Sequence, residues 1–216
     1  MPGFGMLRDD FADGVLDPVL WSQSYGDPIE QGSRLKVPCT TGYAGASTAS
    51  VYTLSWSQLA ARVYPPAAGG ASAAACSLLV LSDVGGTDAG FLVDQAQNAM
   101  GLYSRVGYAD AGALFPAYDP VVHAWLRLRE DAGSLYWETS PDGQSWTVRR
   151  TAATPAWAGQ SNLSLLFEAH RDAGTADFAE LDSLNISRPG GLRPLQRGAT
   201  GPGPYPRATS TVRGAG

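Results

Sequence analysis

Few residues in this chain are placed to do chemistry. Nucleophilic hydrolysis needs an activated Ser or Cys beside a His and an acid, yet no Gly-x-Ser-x-Gly elbow occurs and only two histidines are present, His123 and His170. Neither His has a triad context, and both read as surface or edge residues. No His/Cys cluster has zinc spacing. Asp9, Asp10 and Asp13 are at best a loose set of oxygen ligands for Ca²⁺ together with backbone carbonyls, and a solvated turn ahead of the first strand is the preferred reading of them. Residues Gly85-Gly86-Thr87-Asp88-Ala89-Gly90 lack the Lys and following helix of a phosphate loop, so they read as a hairpin connection. Cys39 and Cys76, the only cysteines, are embedded in apolar runs and are expected to be buried free thiols.

One constellation suits recognition rather than catalysis. Sugar binding needs an aromatic face with fixed polar groups beside it, and Trp125 and Tyr136 flanked by Arg127, Arg129 and Glu138 supply both types, although packing on the inner side of the second sheet is the simpler account of them. Those five residues lie in two runs, His123-Ala124-Trp125-Leu126-Arg127-Leu128-Arg129-Glu130 and Ser134-Leu135-Tyr136-Trp137-Glu138-Thr139-Ser140, separated by Asp131-Ala132-Gly133. Successive strand side chains point to opposite faces, so Leu126 and Leu128 share one face and Trp125, Arg127 and Arg129 the other. A tight hairpin then sets Leu135, Trp137 and Thr139 inward, Glu138 beside Arg127, and Tyr136 beside Arg129. The Pro141-Asp142-Gly143 segment that follows is a turn signal, with Pro presetting φ and Gly supplying positive φ.

These elements belong to a longer series. Short runs of β-type content recur over residues 20 to 187, among them 34–37, 50–56, 58–64, 77–82, 90–95, 101–106, 147–151, 162–169 and 176–186, separated by Gly, Pro, Asp and Ser. No amphipathic helix of ten residues is evident. The pattern predicts an all-β antiparallel sandwich over residues 1–187, with Leu126, Leu128, Leu135, Trp137, Leu163, Leu165 and Phe167 in its core. Residues 65 to 75, rich in Pro, Ala and Gly, read as a surface excursion.

Composition bounds the rest. With 44% hydrophobic and 16% charged residues, two Cys and a net charge of -5, the chain is neither fully disordered, collagenous, disulfide-dense nor a strongly basic nucleic-acid binder. No apolar run reaches membrane-spanning length, and Met1-Pro2-Gly3-Phe4-Gly5 lacks the features of a signal peptide. Charge is uneven: residues 1–185 hold ten bases against twenty acids, while residues 188–216 hold five arginines, no acid, five Pro and seven Gly. That segment is expected to be an extended C-terminal arm with Arg188, Arg193, Arg197, Arg207 and Arg213 meeting acidic surface, and Leu192, Leu195, Tyr205 and Val212 as isolated anchors on a partner.

The opening Asp9-Asp10-Phe11-Ala12-Asp13-Gly14-Val15-Leu16-Asp17 with Trp21, the Trp125-x-Arg127-x-Arg129 strand and the Ser140-Pro141-Asp142-Gly143-Gln144-Ser145-Trp146 turn together resemble the concanavalin A-like lectin/glucanase superfamily. More narrowly they are similar to jelly-roll domains of minor tail proteins in phages of high-GC actinobacteria, and of bacterial carbohydrate-binding proteins. The resemblance implies a two-sheet jelly roll whose concave face often binds glycans. Enzymatic members similar to laminarinases carry Glu-x-Asp-x-x-Glu or Glu-x-Asp-x-Glu on one strand. Here Glu180-Leu181-Asp182-Ser183-Leu184-Asn185 lacks the last Glu, which argues against hydrolysis.

The favoured expectation is therefore a non-enzymatic phage virion structural protein with no cofactor, its lectin-like body anchored to other virion proteins or to its own copies through the arm. A cell-surface glycan is a further expected partner, nucleic acid and membrane are not, and the expected location is the virion. The alternative is an extracellular carbohydrate-binding module of a bacterial surface or secreted protein; a glycoside hydrolase ranks last.

Overall fold

The structure, a computed structural model, describes residues 1–186. Twelve strands run β1 (Ile29–Glu30), β2 (Leu35–Cys39), β3 (Ala44–Ser47), β4 (Gln58–Tyr64), β5 (Ala74–Leu81), β6 (Asp88–Asp94), β7 (Ala99–Arg105), β8 (Trp125–Asp131), β9 (Ser134–Ser140), β10 (Thr147–Ala153), β11 (Ser164–Arg171) and β12 (Asp177–Asp182). They form two antiparallel sheets, a seven-stranded one in the order β1-β2-β12-β4-β8-β9-β10 and a five-stranded one in the order β3-β11-β5-β6-β7. Helix among the described residues is confined to two short 3₁₀ turns, Phe4–Met6 and Ala156–Gly159, and none of it could cross a membrane.

Alternation builds the sandwich. In β4, Leu59, Ala61 and Val63 turn inward; in β11, Leu165, Phe167 and Ala169 do so while Glu168 and His170 face out. All seven residues expected in the core are buried between the sheets. The β8–β9 hairpin has the expected register, with Arg127 opposite Glu138 and Arg129 opposite Tyr136. Its connection is a two-residue turn in which both Ala132 (φ 49°) and Gly133 (φ 82°) are left-handed, the geometry that matches strand twist.

Two local expectations fail for identifiable reasons. Residues 50–56 form no strand: Tyr52 and Thr53 make only isolated bridges, to Leu163 and Gly3, and the chain then turns at Ser55 and Trp56. Conversely, Ala44-Gly45-Ala46-Ser47 has no β-branched or aromatic residue, yet it is a strand because β11 pairs with it. A Cβ on Gly45 would stand 2.9 Å from Leu166 Cδ1 and 3.0 Å from the Tyr25 ring, so tertiary fit overrides propensity there.

The 65–75 excursion is tied down. Arg171, buried at the end of β11, donates through Nη2 to the carbonyls of Ala67 (3.0 Å) and Ala68 (2.5 Å) and through Nε to Ala173 (2.9 Å). Asp172 accepts from the backbone N–H groups of Ser72 and Ala73, each at 3.1 Å. Cys39 and Cys76 are both buried and free, and burial pushes the Cys76 thiol well above its usual range.

Candidate functional site

The outer face of the five-stranded sheet carries an open groove of about 310 Å³. Its floor runs over Ala75, Ser77 and Leu79 of β5 with Leu92 of β6 beside them, because strand alternation puts Cys76 and Leu78 into the core and leaves these outside. Glu168 and His170 of β11 stand on one side and Asp94 of β6 on the other. Register aligns Glu168 with Ser77 and Leu92, and His170 with Ala75 and Asp94. With about 4.8 Å between strands and about 3.4 Å per residue, the Cα atoms of Glu168 and Asp94 are about 12 Å apart on the diagonal.

Each polar group has a defined setting. Tyr43 stacks on His170, with ring centroids 4.2 Å apart and 14° between planes. The Tyr25 hydroxyl donates to Glu168 Oε2, and burial together with that carboxylate raises the phenol far above its ordinary value. Asp94 Oδ1 accepts three backbone N–H groups, from Ala74 (3.2 Å), Ala96 (2.9 Å) and Gln97 (3.1 Å), whereas Oδ2 takes none of them. At the far end of the groove Arg105 grips Asp88 with two 2.9 Å contacts. Burial raises the Asp88 carboxyl in spite of that partner.

The residues expected to bind sugar lie on the opposite face, outside the seven-stranded sheet, and the structure brings all five together. Glu138 is buried and accepts from Arg127 Nε (2.7 Å), Arg129 Nε (3.2 Å) and Arg129 Nη2 (3.3 Å). Arg129 lies over the Tyr136 ring at 4.3 Å and Arg127 over the Trp146 ring at 4.1 Å. Trp125 is only 6% exposed, because the 140–146 turn folds across it; a Cβ on Gly143 would come within 2.9 Å of the indole. Asp142 shapes that turn as expected, accepting from the N–H groups of Gln144 and Ser145 at 2.8 Å, which pulls its carboxyl down to about 2.

The remaining candidates have local partners. Asp9 accepts from Phe11 N–H and Trp21 Nε1–H, both at 2.9 Å, Asp10 from Ala12 N–H (3.2 Å) and Asp13 from Val15 N–H (3.0 Å). Among the described residues no group of three or more His, Cys, Asp or Glu is placed to hold a metal. His123 is buried, not at the surface or edge, and its Nδ1 accepts the Asp119 N–H at 3.0 Å. The arm residues Arg188, Leu192, Arg193, Leu195, Arg197, Tyr205, Arg207, Val212 and Arg213 lie outside the described residues.

No protein-family model and no curated protein matches the chain. Solved structures do. The catalytic domain of an endo-1,3-β-glucanase (laminarinase) from Thermotoga petrophila RKU-1 superimposes with a TM-score of 0.62 at 14% identity, covering 82% of this chain and 94% of that one. A laminarinase from Flavobacterium sp. UMI-01 gives 0.62 at 8% identity over 82% and 96% of the two chains. The GH16 endo-β-1,3(4)-glucanase SCLam gives 0.64 at 8% identity over 82% and 88%. The fold is a concanavalin A-like jelly roll. At these identities the likeness is one of fold.

These neighbours correct two expectations. The expectation of a non-enzymatic phage virion structural protein is corrected, because the solved structures named above that share the fold are glucanases rather than virion proteins, and the expectation of no enzyme is corrected with it. The groove lies outside the sequence expectations: Tyr25, Tyr43, Ser77, Asp94 and Glu168 stand in no motif, and His170 reads only as a surface or edge residue. The signal available was the period-two placing of Glu168 and His170 after the apolar Leu165-Leu166-Phe167 of β11, opposite Ser77 and Ala75 of β5.

Proposed function

We propose that this protein cleaves a glucan-type polysaccharide laid along the outer groove of the five-stranded sheet. The observation that carries the reading is the pair Glu168 and Asp94, facing each other across a floor of Ala75 and Ser77 beside the Tyr43–His170 stack. Small floor residues admit a flat chain, and the stacked rings give a sugar face something to rest on. The glucanases that share the fold add weight to this choice of substrate.

Glycoside hydrolysis takes one carboxyl group to protonate the leaving oxygen and another to act on the opposite face of the sugar. In this reading Glu168 is the general acid at the glycosidic oxygen. Asp94 accepts the proton of a water that attacks the anomeric carbon, so the bond to the leaving sugar breaks as the bond to water forms. With Asp94 acting on water rather than on the sugar, the reading is one of inversion, and the product anomer tests it. The pair comes from two strands, β6 and β11, rather than from the single-strand Glu-x-Asp-x-x-Glu pattern.

The test is reducing-sugar release from laminarin and mixed-linkage β-glucan by the wild type, Glu168→Gln and Asp94→Asn, with product anomers read by NMR. Release by the wild type that is lost in both variants, with their melting midpoints retained, supports the reading. No release on either polymer, or release that survives Glu168→Gln, overturns it.

A further inference from the structure

On the far side of the sandwich a single indole is held out to solvent at a backbone position suited to glycine. Leu54-Ser55-Trp56-Ser57 is a tight turn closed by Ser57 N–H to the Leu54 carbonyl at 3.0 Å. Trp56 occupies its third position with φ +51°, where Gly or Asn is the relaxed choice and a bulky residue is an outlier. The strain is not there to bury the ring, for Trp56 is 74% exposed while Leu54 beside it is fully buried.

The turn is fixed from beneath by Glu130. This carboxylate is 6% exposed; its Oε2 accepts the Trp56 N–H at 2.6 Å, and its Oε1 accepts from Gly133 N–H (3.0 Å) and Thr154 Oγ1 (3.1 Å). The Glu130 N–H in turn donates to the Ser57 carbonyl at 2.9 Å. One buried acid therefore locks the Trp56 turn to the β8–β9 turn and to the end of β10. Such locking is what a strained, projecting side chain needs to persist.

The indole borders a pocket of about 260 Å³ whose other walls are Gln58, Arg129 and Asp131. Arg129 is engaged by Glu138 and Asp131, whereas the Gln58 amide has no hydrogen-bond partner among the described residues. An apolar plane bordered by an amide, a guanidinium and a carboxylate matches a pyranose ring, which has an apolar C–H face and hydroxyl groups around its rim. A protein partner would call for a wider apolar patch, and here one ring is surrounded by polar side chains.

We infer that Trp56, Gln58 and Asp131 form a second sugar-binding site, outside the seven-stranded sheet and on the opposite face from the Glu168 groove, that takes one pyranose unit of a neutral polysaccharide. It shares with the groove reading only the class of ligand. Because its indole stands in a glycine-type conformation, Trp56→Gly removes the stacking plane while relieving backbone strain.

The experiment measures binding to insoluble β-1,3-glucan in a Glu168→Gln background, where cleavage does not consume the polymer, with and without Trp56→Gly and Gln58→Ala. Trp56→Gly is expected to melt at or above its parent and to bind about fivefold more weakly or worse, the loss of one aromatic stacking contact; Gln58→Ala should weaken binding in the same direction. Binding unchanged by Trp56→Gly overturns the site, as does a lowered melting midpoint, which would make Trp56 a packing residue. The groove reading fails separately: a wild type that releases no sugar but shows Trp56-dependent binding refutes cleavage and leaves this site standing.

Discussion

Removing the charge of Glu138 tests the outer face of the seven-stranded sheet quantitatively. The Glu138 side chain is 4% exposed, and its two partners are partly open, Arg127 at 17% and Arg129 at 26%. At an effective dielectric near 20, each pair of charges about 4 Å apart attracts by about 4 kcal/mol. Several kcal/mol of that are offset by desolvating the carboxylate. Mutual repulsion of the two arginines and solvent screening of their exposed sides reduce it further. Glu138→Gln keeps the shape and one acceptor oxygen, so the loss should be about 2 to 3 kcal/mol, between the cost of a surface pair and that of breaking a fully buried one. In urea, with a slope of about 2 kcal/mol per molar, the midpoint should fall by about 1 to 1.5 M. A double-mutant cycle with Arg127→Met isolates the 2.7 Å contact, and its coupling should survive 1 M NaCl because the carboxylate is shielded from salt. A midpoint shift equivalent to less than about 0.5 kcal/mol would refute the reasoning, since that is what an exposed pair contributes.

Two other perturbations follow from the geometry. Gly90 has φ +153°, and a Cβ there would stand 2.1 Å from the Leu78 carbonyl oxygen, so Gly90→Ala should cost near the upper end of the usual ~0.5–3 kcal/mol range. The melting midpoint should drop by roughly 6 to 12 °C, and near-ultraviolet dichroism should change because Trp137 Nε1 donates to the Gly90 carbonyl at 3.0 Å. Burial, with help from Arg149, lowers the His123 pKa below its ordinary 6.5, against the pull of Asp119. The unfolded chain then takes up a proton that the folded one refuses, so stability should decline as pH falls from about 6.5 towards the folded value. Melting midpoints between pH 7.5 and 5 should show this slope, and a slope that persists unchanged in His123→Gln would assign it to other groups.

Strand alternation made the β8–β9 hairpin legible down to its side-chain neighbours, because Leu126, Leu128, Leu135 and Trp137 fix the inward faces and the tight turn between the strands then fixes the register. The same logic could not see β3, whose Ala, Gly and Ser carry no strand signal and depend on β11 for their conformation. Nor could it see the groove. Tyr25 and Glu168 are 143 residues apart, and Asp94 reaches them only through the pairing of β11 with β5 and β5 with β6. Trp125 was legible as outward-facing but not as covered, since the 140–146 turn that hides it folds back by its own Ser140 and Asp142 hydrogen bonds. Trp56 reads in sequence as the end of a strand, and its exposure follows from a turn that Glu130, 74 residues away, holds in place.

The two outer faces are carried on one body because buried charge stitches the sheets at an edge. Arg150, on the last strand of the seven-stranded sheet, donates to the Leu102 carbonyl of β7 at 2.6 Å, and it pairs with Asp110 at 2.6 and 3.0 Å. Burial opposes the charged form of Asp110. Hydrogen bonds from Arg150 and from the N–H groups of Ser104 and Gly112 outweigh it and hold the carboxyl below its ordinary value. The guanidinium also lies 4.6 Å from the Trp137 ring in the core, so a shift of one sheet against the other would strand a buried charge from its partners. At the opposite end of the groove Arg171 and Asp172 pin the 65–75 loop to β11, which carries Glu168. Arg150 thus ties β10 to β7, and Arg171 ties the 65–75 loop to β11, so the sheets and the loop beside them are fixed as one body.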